Sequence, residues 1–364
     1  MQFSYAQDGS YTTVKKIWSL EDCINYALEN NISIKDAALN TRIAEVDYDK
    51  TKSLRLPTLF GSASQSFSNG NSIDPITSDF VPDQTHSSNV SVNSSIILFQ
   101  GNQINNQIKQ RKLLLDQSLY LQEIAKNNIY ISILQNYLQI LYSKEEIAIS
   151  ENNLIASEKK VLRAKERLNA GEIALNDYTE AQSQSATNNY QLIIAKNNYQ
   201  QNIFSLKQLL ELSPTQDLDI KEIDDNIDLI NIEHGKNEIY NNALNYLPEI
   251  KASNLNIEVM HKELDIVKGG YWPILSLTGG LGTGYTSINN QVFLDQFNVN
   301  FNQRIGLSLN IPIFNRNQTK SAVKTAAINI EKAEIEKYRV EKDIFKKVET
   351  AYQNAISTQE QVVA

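Results

Sequence analysis

One stretch of the sequence limits the architecture more than any other: residues 102–170 contain neither proline nor glycine. Within it, apolar residues recur at every seventh position. This first seam consists of Ile133, Ile140, Ile147, Leu154, Val161 and Leu168. A seven-residue apolar repeat predicts a helix that supercoils against a neighbouring helix. The helix would be roughly 100 Å long, which no single small core can accommodate.

The same helix carries a second apolar seam, formed by Leu134, Leu141, Ala148, Ile155 and Leu162. Between the two seams runs a strip that becomes polar and charged, formed by Tyr137, Lys144, Glu151, Glu158 and Lys165. A simple two-stranded coiled coil needs one seam only. Two seams therefore indicate a wall helix with a partner on each side and water on at least one face. Periodicity alone leaves open an ordinary helical bundle, in which the charges form the solvated face.

Composition excludes several classes of protein. With 364 residues, of which 41% are hydrophobic, the chain could form two or three domains or one elongated one. The net charge of −8 argues against a nucleic-acid partner, which would favour a basic surface. The single cysteine, Cys23, excludes a disulfide framework and is predicted to be a buried thiol. No apolar run reaches the length of about 18 residues that predicts a transmembrane helix. Residues 3–7 are compatible with the end of a signal peptide but too few to establish one.

Caps and periodicity define the elements of the first half. Ser19 and Asp22 form a capping-box-like pattern at a helix start, although the acid is Asp rather than the usual Glu or Gln. After Pro57 the pattern changes from helical to alternating. The predicted elements are helices within 19–56, strands 58–68 and 88–99 around a loop at 69–87, a long helix 102–170, a return helix 174–211 and an acidic linker 213–238.

The second half of the chain repeats the first at an offset of 215 or 216 residues. The aligned landmarks are Ala27-Leu28 with Ala243-Leu244, Pro57 with Pro273, Leu59 with Leu275, and Phe99 with Phe314. This pattern predicts a tandem duplication, with residues 1–212 as the first repeat and 239–364 as the second. The second repeat has predicted strands 274–286 and 301–313 around a loop at 287–300, and we expect it to be cut off within its long helix.

Four strands per chain predict an assembly of several copies. Small and polar residues alternate with aliphatic ones in these strands, so they form neither a stable isolated sheet nor a closed barrel. Their edges need partners, and membrane barrels need about eight strands or more. Closure therefore requires two or more identical chains in a ring. The long helices would continue the ring as a wall, giving a hollow tube with a membrane-spanning end and a water-soluble end.

Several motifs together resemble those of the TolC-like outer-membrane efflux protein family. They are the start Trp18-Ser-Leu-Glu-Asp-Cys-Ile-Asn-Tyr-Ala-Leu, the strand entries at Pro57 and Pro273, the turns Leu98-Phe99-Gln-Gly101-Asn and Pro312-Ile-Phe314-Asn-Arg-Asn, and Arg167-Leu-Asn-Ala-Gly171 with Asp177. The resemblance implies an α+β membrane channel. In it, a long antiparallel α-helical coiled-coil barrel joins a trimeric twelve-stranded transmembrane β-barrel to which each chain gives four strands.

The resemblance also implies partners and a location. The expected assembly is a homotrimer in the outer membrane of a Gram-negative bacterium, in contact with outer-membrane lipid and with a large periplasmic portion. It would dock a periplasmic adaptor protein and an inner-membrane transporter, and export drugs, other small molecules or proteins. Pro57, Phe99, Gly101, Pro273 and Phe314 would form the strand–helix junctions.

The family's periplasmic hairpin tip corresponds to Arg167, Leu168, Ala170, Gly171 and Asp177. In that family the tip contacts the adaptor and helps to set the entrance. Gly171 can supply the positive φ of a tight turn, and Asp177 suits the start of the returning helix. Plain hairpin architecture is an equally good interpretation of both residues. Tyr178 and Thr179 depart from the aliphatic pair usual after that Asp.

No pattern of catalytic or cofactor-binding residues is recognisable, so we expect no enzyme activity, no cofactor and no metal. The histidines, His86, His234 and His261, lie far apart in the sequence. The run Gly279–Gly284 lacks the lysine of a phosphate-binding loop and fits small residues on a strand better. The acidic residues at 217–228 miss the spacing of a calcium loop. The competing hypothesis is a soluble helical scaffold that binds partner helices and has no pore.

Overall fold

The computed structural model describes residues 17–73, 80–222, 235–289 and 291–363. The chain divides into two compact units, one formed by Met1–Asn40, Leu121–His234 and Gln359–Ala364, the other by Thr41–Tyr120 and Gly235–Thr358. The helices are α1 (Leu20–Asn30), α2 (Ile32–Lys52), α3 (Gln103–Asn169), α4 (Leu175–Leu209), α5 (Lys236–Tyr246), α6 (Pro248–Lys268), α7 (Phe293–Val299) and α8 (Gln318–Val363). The strands are β1 (Ile17–Trp18), β2 (Thr58–Ile73), β3 (Phe80–Gln100), β4 (Asp219–Ile220), β5 (Ile274–Thr286) and β6 (Asn302–Asn310).

The first unit is built around α1, which is capped as the sequence predicts. The Asp22 backbone N–H donates to Ser19 Oγ, and the Ser19 N–H donates to Asp22 Oδ2, each over 3.1 Å, so the shorter acid completes the capping box. Cys23 is fully buried, which confirms the predicted buried thiol. It belongs to a core that includes Ile133 and Leu206, from α3 and α4. The long helix therefore packs against its return partner through its apolar residues.

Tyr137 ties the short strands of this unit to α3. Its hydroxyl donates to the Lys221 carbonyl oxygen (2.5 Å) and also lies 3.3 Å from the Trp18 carbonyl oxygen. Trp18 is the last residue of β1, and Lys221 directly follows β4. Burial raises the pKa of this hydroxyl above its usual value, and Cys23 adds to the effect. The group therefore remains a protonated donor at neutral pH. Strand β4 lies within the predicted acidic linker 213–238, where no strand was expected, because a two-residue strand has no readable period.

The second unit holds a four-stranded antiparallel sheet in the order β2–β3–β5–β6. The register pairs Thr58 with Ser95, Ser95 with Thr278, and Thr278 with Gly306. A bulge lies between Ile97 and Phe99, just before the chain enters α3. Among the described residues, no helix is both long enough and apolar enough to cross a membrane.

The β2–β3 hairpin is longer than predicted. The sequence predicts strands 58–68 and 88–99 around a loop, whereas β2 runs to Ile73 and β3 begins at Phe80. The paired segments 69–73 and 80–87 are rich in Asn, Ser and Thr, and backbone pairing continues because it does not depend on an apolar face. Residues 74–79 of the predicted loop lie outside the described residues. The opposite error occurs in β6, which ends at Asn310 rather than 313, since Pro312 cannot donate to a ladder.

The predicted loop 287–300 contains a helix, α7, held by one buried side chain. Gln296 is fully buried. Its Oε1 accepts from the Thr286 N–H (3.0 Å). Its Nε2, which carries two N–H groups, lies within hydrogen-bond distance of the carbonyl oxygens of Thr286 (3.0 Å), Asn289 (3.0 Å) and Gln291 (2.9 Å). Since β6 begins opposite Gly282, residues 283–286 of β5 pair with β3 on one side and have no β6 residue on the other. At Thr286 the Gln296 side-chain amide therefore makes the backbone hydrogen bonds that a neighbouring strand would otherwise make.

The internal duplication is visible in the element boundaries. Both ends of α1 and of α2 correspond to those of α5 and α6 at an offset of 216, as do the starts of β2 and β5. The starts of α3 and α8 correspond at 215. Backbone outliers follow the same offset, because Gly101 and Asn102 (φ 56° and 60°) match Arg316 and Asn317 (φ 54° and 62°). The duplication is therefore present in the structure as well as in the amino-acid sequence.

Candidate functional site

The register separates the side chains of the four-stranded sheet into two chemically distinct faces. The apolar face carries Leu59, Gly61, Ala63, Val90, Val92, Ile96, Leu277, Leu281, Ile305 and Leu307. The polar face carries Ser62, Ser64, Ser66, Asn89, Ser91, Asn93, Thr278, Gly280, Gly282, Arg304 and Ser308. The predicted alternation thus places most aliphatic residues on one side and most small polar residues on the other. The exceptions are Phe60 and Ile97 on the polar face, and Gln65, Ser88, Ser94, Thr283 and Gln303 on the apolar face.

Hydroxyl groups pair across the polar face. Ser62 and Ser91 lie 2.8 Å apart through their Oγ atoms, and Ser66 and Ser87 lie 2.6 Å apart. Within each pair the two hydroxyls satisfy each other's hydrogen-bonding capacity without any apolar packing. The polar face is therefore compatible with water and contributes no core of its own.

The aliphatic side chains of the apolar face remain exposed within the chain. Leu59 is 73% exposed and Ile305 is 82% exposed. From Leu275 to Tyr285 the strand covers about 33 Å, or about 25 Å along the normal at a typical barrel tilt. Aromatic pairs border this band, with Phe99 against Trp272 (6.5 Å between centroids) at one end and Phe67 against His86 (4.8 Å) at the other.

The two outer strands of the sheet, β2 and β6, are each paired on one side only within the described chain. β2 is 16 residues long. A long unpaired edge of this kind invites a further strand. The sheet of one chain is therefore incomplete at both sides.

At the strand–helix junction the two repeats come into close backbone contact. Gly101 has φ +56°, and a Cβ there would lie 2.4 Å from the Gly269 carbonyl oxygen and 2.8 Å from the Trp272 Cβ. A Cβ on Gly269 would in turn lie 2.8 Å from the Gly101 oxygen. Neither glycine can be replaced without moving backbone. Gly101 was predicted as a junction residue. Gly269 was not, although the pair Gly269-Gly270 before a strand is a signal for it.

The other predicted junction residues lie close to the strand ends. Pro57 directly precedes β2 and Pro273 directly precedes β5, and each follows a short 3₁₀ turn. Phe99 lies at the bulge of β3 and is 40% exposed. Phe314, its counterpart in the second repeat, is 79% exposed. The structure thus brings Gly101 and Phe99 to residues 269–272 and leaves the Phe314 side chain largely uncovered.

The two seams of α3 have different environments. Ile133 and Ile140 of the first seam are buried, and its later members through Leu168 are half-buried. In the second seam Leu134 and Leu141 are half-buried, whereas Ala148, Ile155 and Leu162 are exposed. The first seam is therefore satisfied within the first unit, and the outer part of the second seam has no cover among the described residues.

The tip residues form the turn between α3 and α4. Gly171, at φ +76°, donates its N–H to the Leu168 carbonyl (3.0 Å), and the Glu172 N–H donates to the Arg167 carbonyl (2.9 Å). These two bonds make a Schellman motif, which ends the helix with glycine at the positive-φ position. An exposed ion pair between Arg167 Nε and Glu172 Oε2 (3.1 Å) accompanies the motif. A Cβ on Gly171 would meet no atom within 4 Å.

Asp177 begins the returning helix. Its Oδ2 accepts from the Ala174 backbone N–H (3.1 Å), and its own N–H donates to the Ala174 carbonyl (3.1 Å). The carboxylate thus caps the positive end of α4. The architectural interpretation of Gly171 and Asp177 is therefore sufficient for the turn itself. Arg167, Ala170, Gly171 and Asp177 are exposed, so the turn also presents them to solvent.

No group of metal-ligating side chains is found among the described residues. His86 packs on Phe67, and His261 lies exposed on α6. His234 lies outside the described residues. Of the acidic cluster, Asp217, Asp219 and Glu222 are described, and Glu222 forms a surface ion pair with Lys144.

Comparison with known proteins adds a family match. The profile of the family described as outer membrane efflux protein matches residues 23–211 and 239–364. No curated protein matches the sequence.

Solved structures share the fold. CusC superposes with a TM-score of 0.80 at 18% identity, over 100% of this chain and 81% of that chain. VceC from Vibrio cholerae superposes with a TM-score of 0.75 at 17% identity, over 94% of this chain and 80% of that chain. The CmeC outer membrane channel from Campylobacter jejuni superposes with a TM-score of 0.73 at 20% identity, over 88% of this chain and 67% of that chain.

Proposed function

Since the chain belongs to the outer membrane efflux protein family, we propose that three copies of it assemble into one export conduit across the outer membrane. Membership makes the chain an outer-membrane efflux channel subunit and rules against the soluble scaffold.

Assembly follows from the incomplete sheet. With four strands per chain, three chains supply a ring of twelve, in which β6 of each copy pairs with β2 of the next. Ring closure removes every unpaired edge, which an open sheet cannot do. It also agrees with the even strand number of bacterial outer-membrane barrels.

The separation of the sheet into two faces is the single observation that carries the proposal. The apolar face has aliphatic residues across about 25 Å with aromatic residues at both ends, which is the outward pattern of a membrane barrel. The polar face, with its serine hydroxyl pairs, then lines a water-filled lumen. In a soluble protein, side chains as exposed as Ile305 and Leu307 would favour aggregation.

The second seam of α3 supports a helical wall. Its exposed members Ala148, Ile155 and Leu162 keep the seven-residue spacing that coiled-coil neighbours require. We assign this surface to a helix of the next copy, while the first seam packs within the chain. The charged strip between the seams then faces water.

The tip would engage the export machinery. Arg167, Leu168, Ala170, Gly171 and Asp177 would contact a periplasmic adaptor protein, which links the conduit to an inner-membrane transporter. The proposed cargo is small molecules, such as drugs and toxic compounds, or proteins. The exposure of the turn and its rigid capping support this docking role.

Cysteine labelling at two neighbouring positions of β2 tests the assignment of the two faces. Ala63 lies on the apolar face and Ser64 on the polar face, and both are exposed in the single chain. In intact outer membranes, a water-soluble maleimide should label Ser64→Cys and spare Ala63→Cys. The native Cys23 is buried and contributes little background. Equal labelling at the two positions would overturn the lipid-facing and lumen-facing assignment.

A further inference from the structure

We propose that Arg304 gives the lumen a preference for anions over cations. The inference rests on the proposed function, because it requires the polar face to line a pore. In the trimer, three copies of Arg304 would lie at one level and form a ring of positive charge. Such rings favour the passage of anionic solutes.

Arg304 is nearly alone as a charge on the sheet. The four strands contain only two charged residues, Arg304 in β6 and Asp83 in β3, apart from His86 on the apolar face. By register, Arg304 pairs with Gly280, and Gly280 pairs with Asn93. Asp83 lies ten positions from Asn93 along β3, or about 33 Å at the usual rise per residue. That separation exceeds the Debye length at physiological salt, which is about 8 Å. No nearby carboxylate on the described strands offsets the guanidinium.

The side chain is held in place without being neutralised. Arg304 Nη2 donates to Asn93 Oδ1 (3.0 Å), and Asn93 Nδ2 donates in turn to Ser91 Oγ (3.0 Å). The guanidinium lies across Gly280, where a Cβ would come within 3.0 Å of its Nε. An uncharged amide fixes the position but leaves the full positive charge. Arg304 is exposed on the polar face.

The surroundings suit an anion chemically. Arg304 borders a shallow concavity of about 350 Å³. Asn89, Ser91 and Asn302 line it as well, together with the strand glycines. Hydroxyl and amide groups can donate to anionic oxygens, and no acidic side chain lines the concavity. A carboxylate- or phosphate-bearing solute therefore meets a charge and several donors at this level.

Reversal potentials of single channels in a potassium chloride gradient test the inference. At 0.1 M salt, Arg304→Gln should lower the chloride-to-potassium permeability ratio by about threefold or more. Arg304→Glu should lower it further. Arg304→Lys retains the charge and serves as the matched control, with a ratio near that of the wild type. All these differences should shrink at 1 M salt, because screening shortens the range of the charge.

A variant that adds a positive charge provides a control for the possibility that Arg304→Gln and Arg304→Glu change selectivity only because they fold poorly. Asn302 lies two positions from Arg304 on the same face, so Asn302→Arg should raise the chloride preference. Identical reversal potentials in the wild type, Arg304→Gln and Asn302→Arg would overturn the inference while leaving the channel itself established. Absence of any conductance from inserted wild-type protein would instead count against the proposed function.

Discussion

Replacing Gly101 with alanine should destabilise the assembled protein far more than the same change at Gly171. Both glycines flank α3 and have positive φ, +56° and +76°. Their surroundings differ, because a Cβ on Gly101 would lie 2.4 Å from a backbone oxygen, whereas a Cβ on Gly171 would meet nothing within 4 Å. The pair thus separates crowding from backbone conformation.

The expected losses of folding free energy come from two sources, the positive-φ backbone conformation and the crowding of the added Cβ. A non-glycine residue at positive φ costs about 1–2 kcal/mol. Crowding adds about 1–3 kcal/mol when backbone has to move. Gly101→Ala should therefore lower the free energy of unfolding by about 2–5 kcal/mol, whereas Gly171→Ala should lower it only by the conformational cost of about 1–2 kcal/mol. The second repeat supports this reasoning, since Arg316 occupies the equivalent of Gly101 at φ 54° without being glycine. Positive φ alone does not demand glycine.

The temperature at which the heat-resistant oligomer dissociates on a gel measures the difference, together with the yield in the outer membrane. Gly101→Asn provides a further control, because asparagine tolerates positive φ but still carries a Cβ. It should be nearly as damaging as alanine at position 101, while Gly171→Asn should be close to neutral. If Gly101→Ala and Gly171→Ala dissociated at the same temperature, the crowded junction would not be a constraint on folding.

Two further predictions concern the ends of the elements. Gly171→Val should impair export while leaving oligomer assembly intact, since a β-branched residue at φ +76° distorts an exposed turn. Gly171→Asn, whose side chain is of comparable size and tolerates positive φ, is the matched control. Normal export by Gly171→Val would refute the assignment of the tip. Gln296→Leu should leave the Thr286 backbone groups unpaired at about 1–3 kcal/mol per group, and so make residues 287–300 susceptible to added protease. Equal resistance of wild type and variant would refute the role assigned to Gln296.

The sequence predicted elements where a period is sustained. The seven-residue repeat gave α3 as Gln103–Asn169 against an expected 102–170, and alternation gave β5 at its predicted bounds. Periodicity works in these cases because one face of each element differs chemically from the other over many residues. The duplication was readable for a related reason: an offset kept over several landmarks does not depend on any single residue.

Other features could not be predicted because their cause is not periodic. The outer part of the β2–β3 hairpin contains Asn69, Gly70, Asn71, Pro82 and Asp83, residue types common in loops, so composition could not distinguish it from a loop. Helix α7 has seven residues, too few for a period, and it depends on the buried amide of Gln296. Gly269 gains its importance from the close approach of Gly101, 168 positions earlier in the chain. Arg304 was visible as the only arginine or lysine in the four strands, but its significance depends on the register that places it opposite Gly280.

Apolar residues that one chain leaves exposed carry information about the assembly, and their period indicates which surroundings they need. Leu162 is 59% exposed and belongs to a seven-residue repeat, which matches a neighbouring helix. Ile305 is 82% exposed and belongs to a two-residue repeat next to an unpaired edge, which matches lipid beside a closed ring of strands. Water satisfies neither pattern. The same sequence therefore requires protein contact for its long helix and a bilayer for its sheet, and the proposed trimer in the outer membrane meets both requirements.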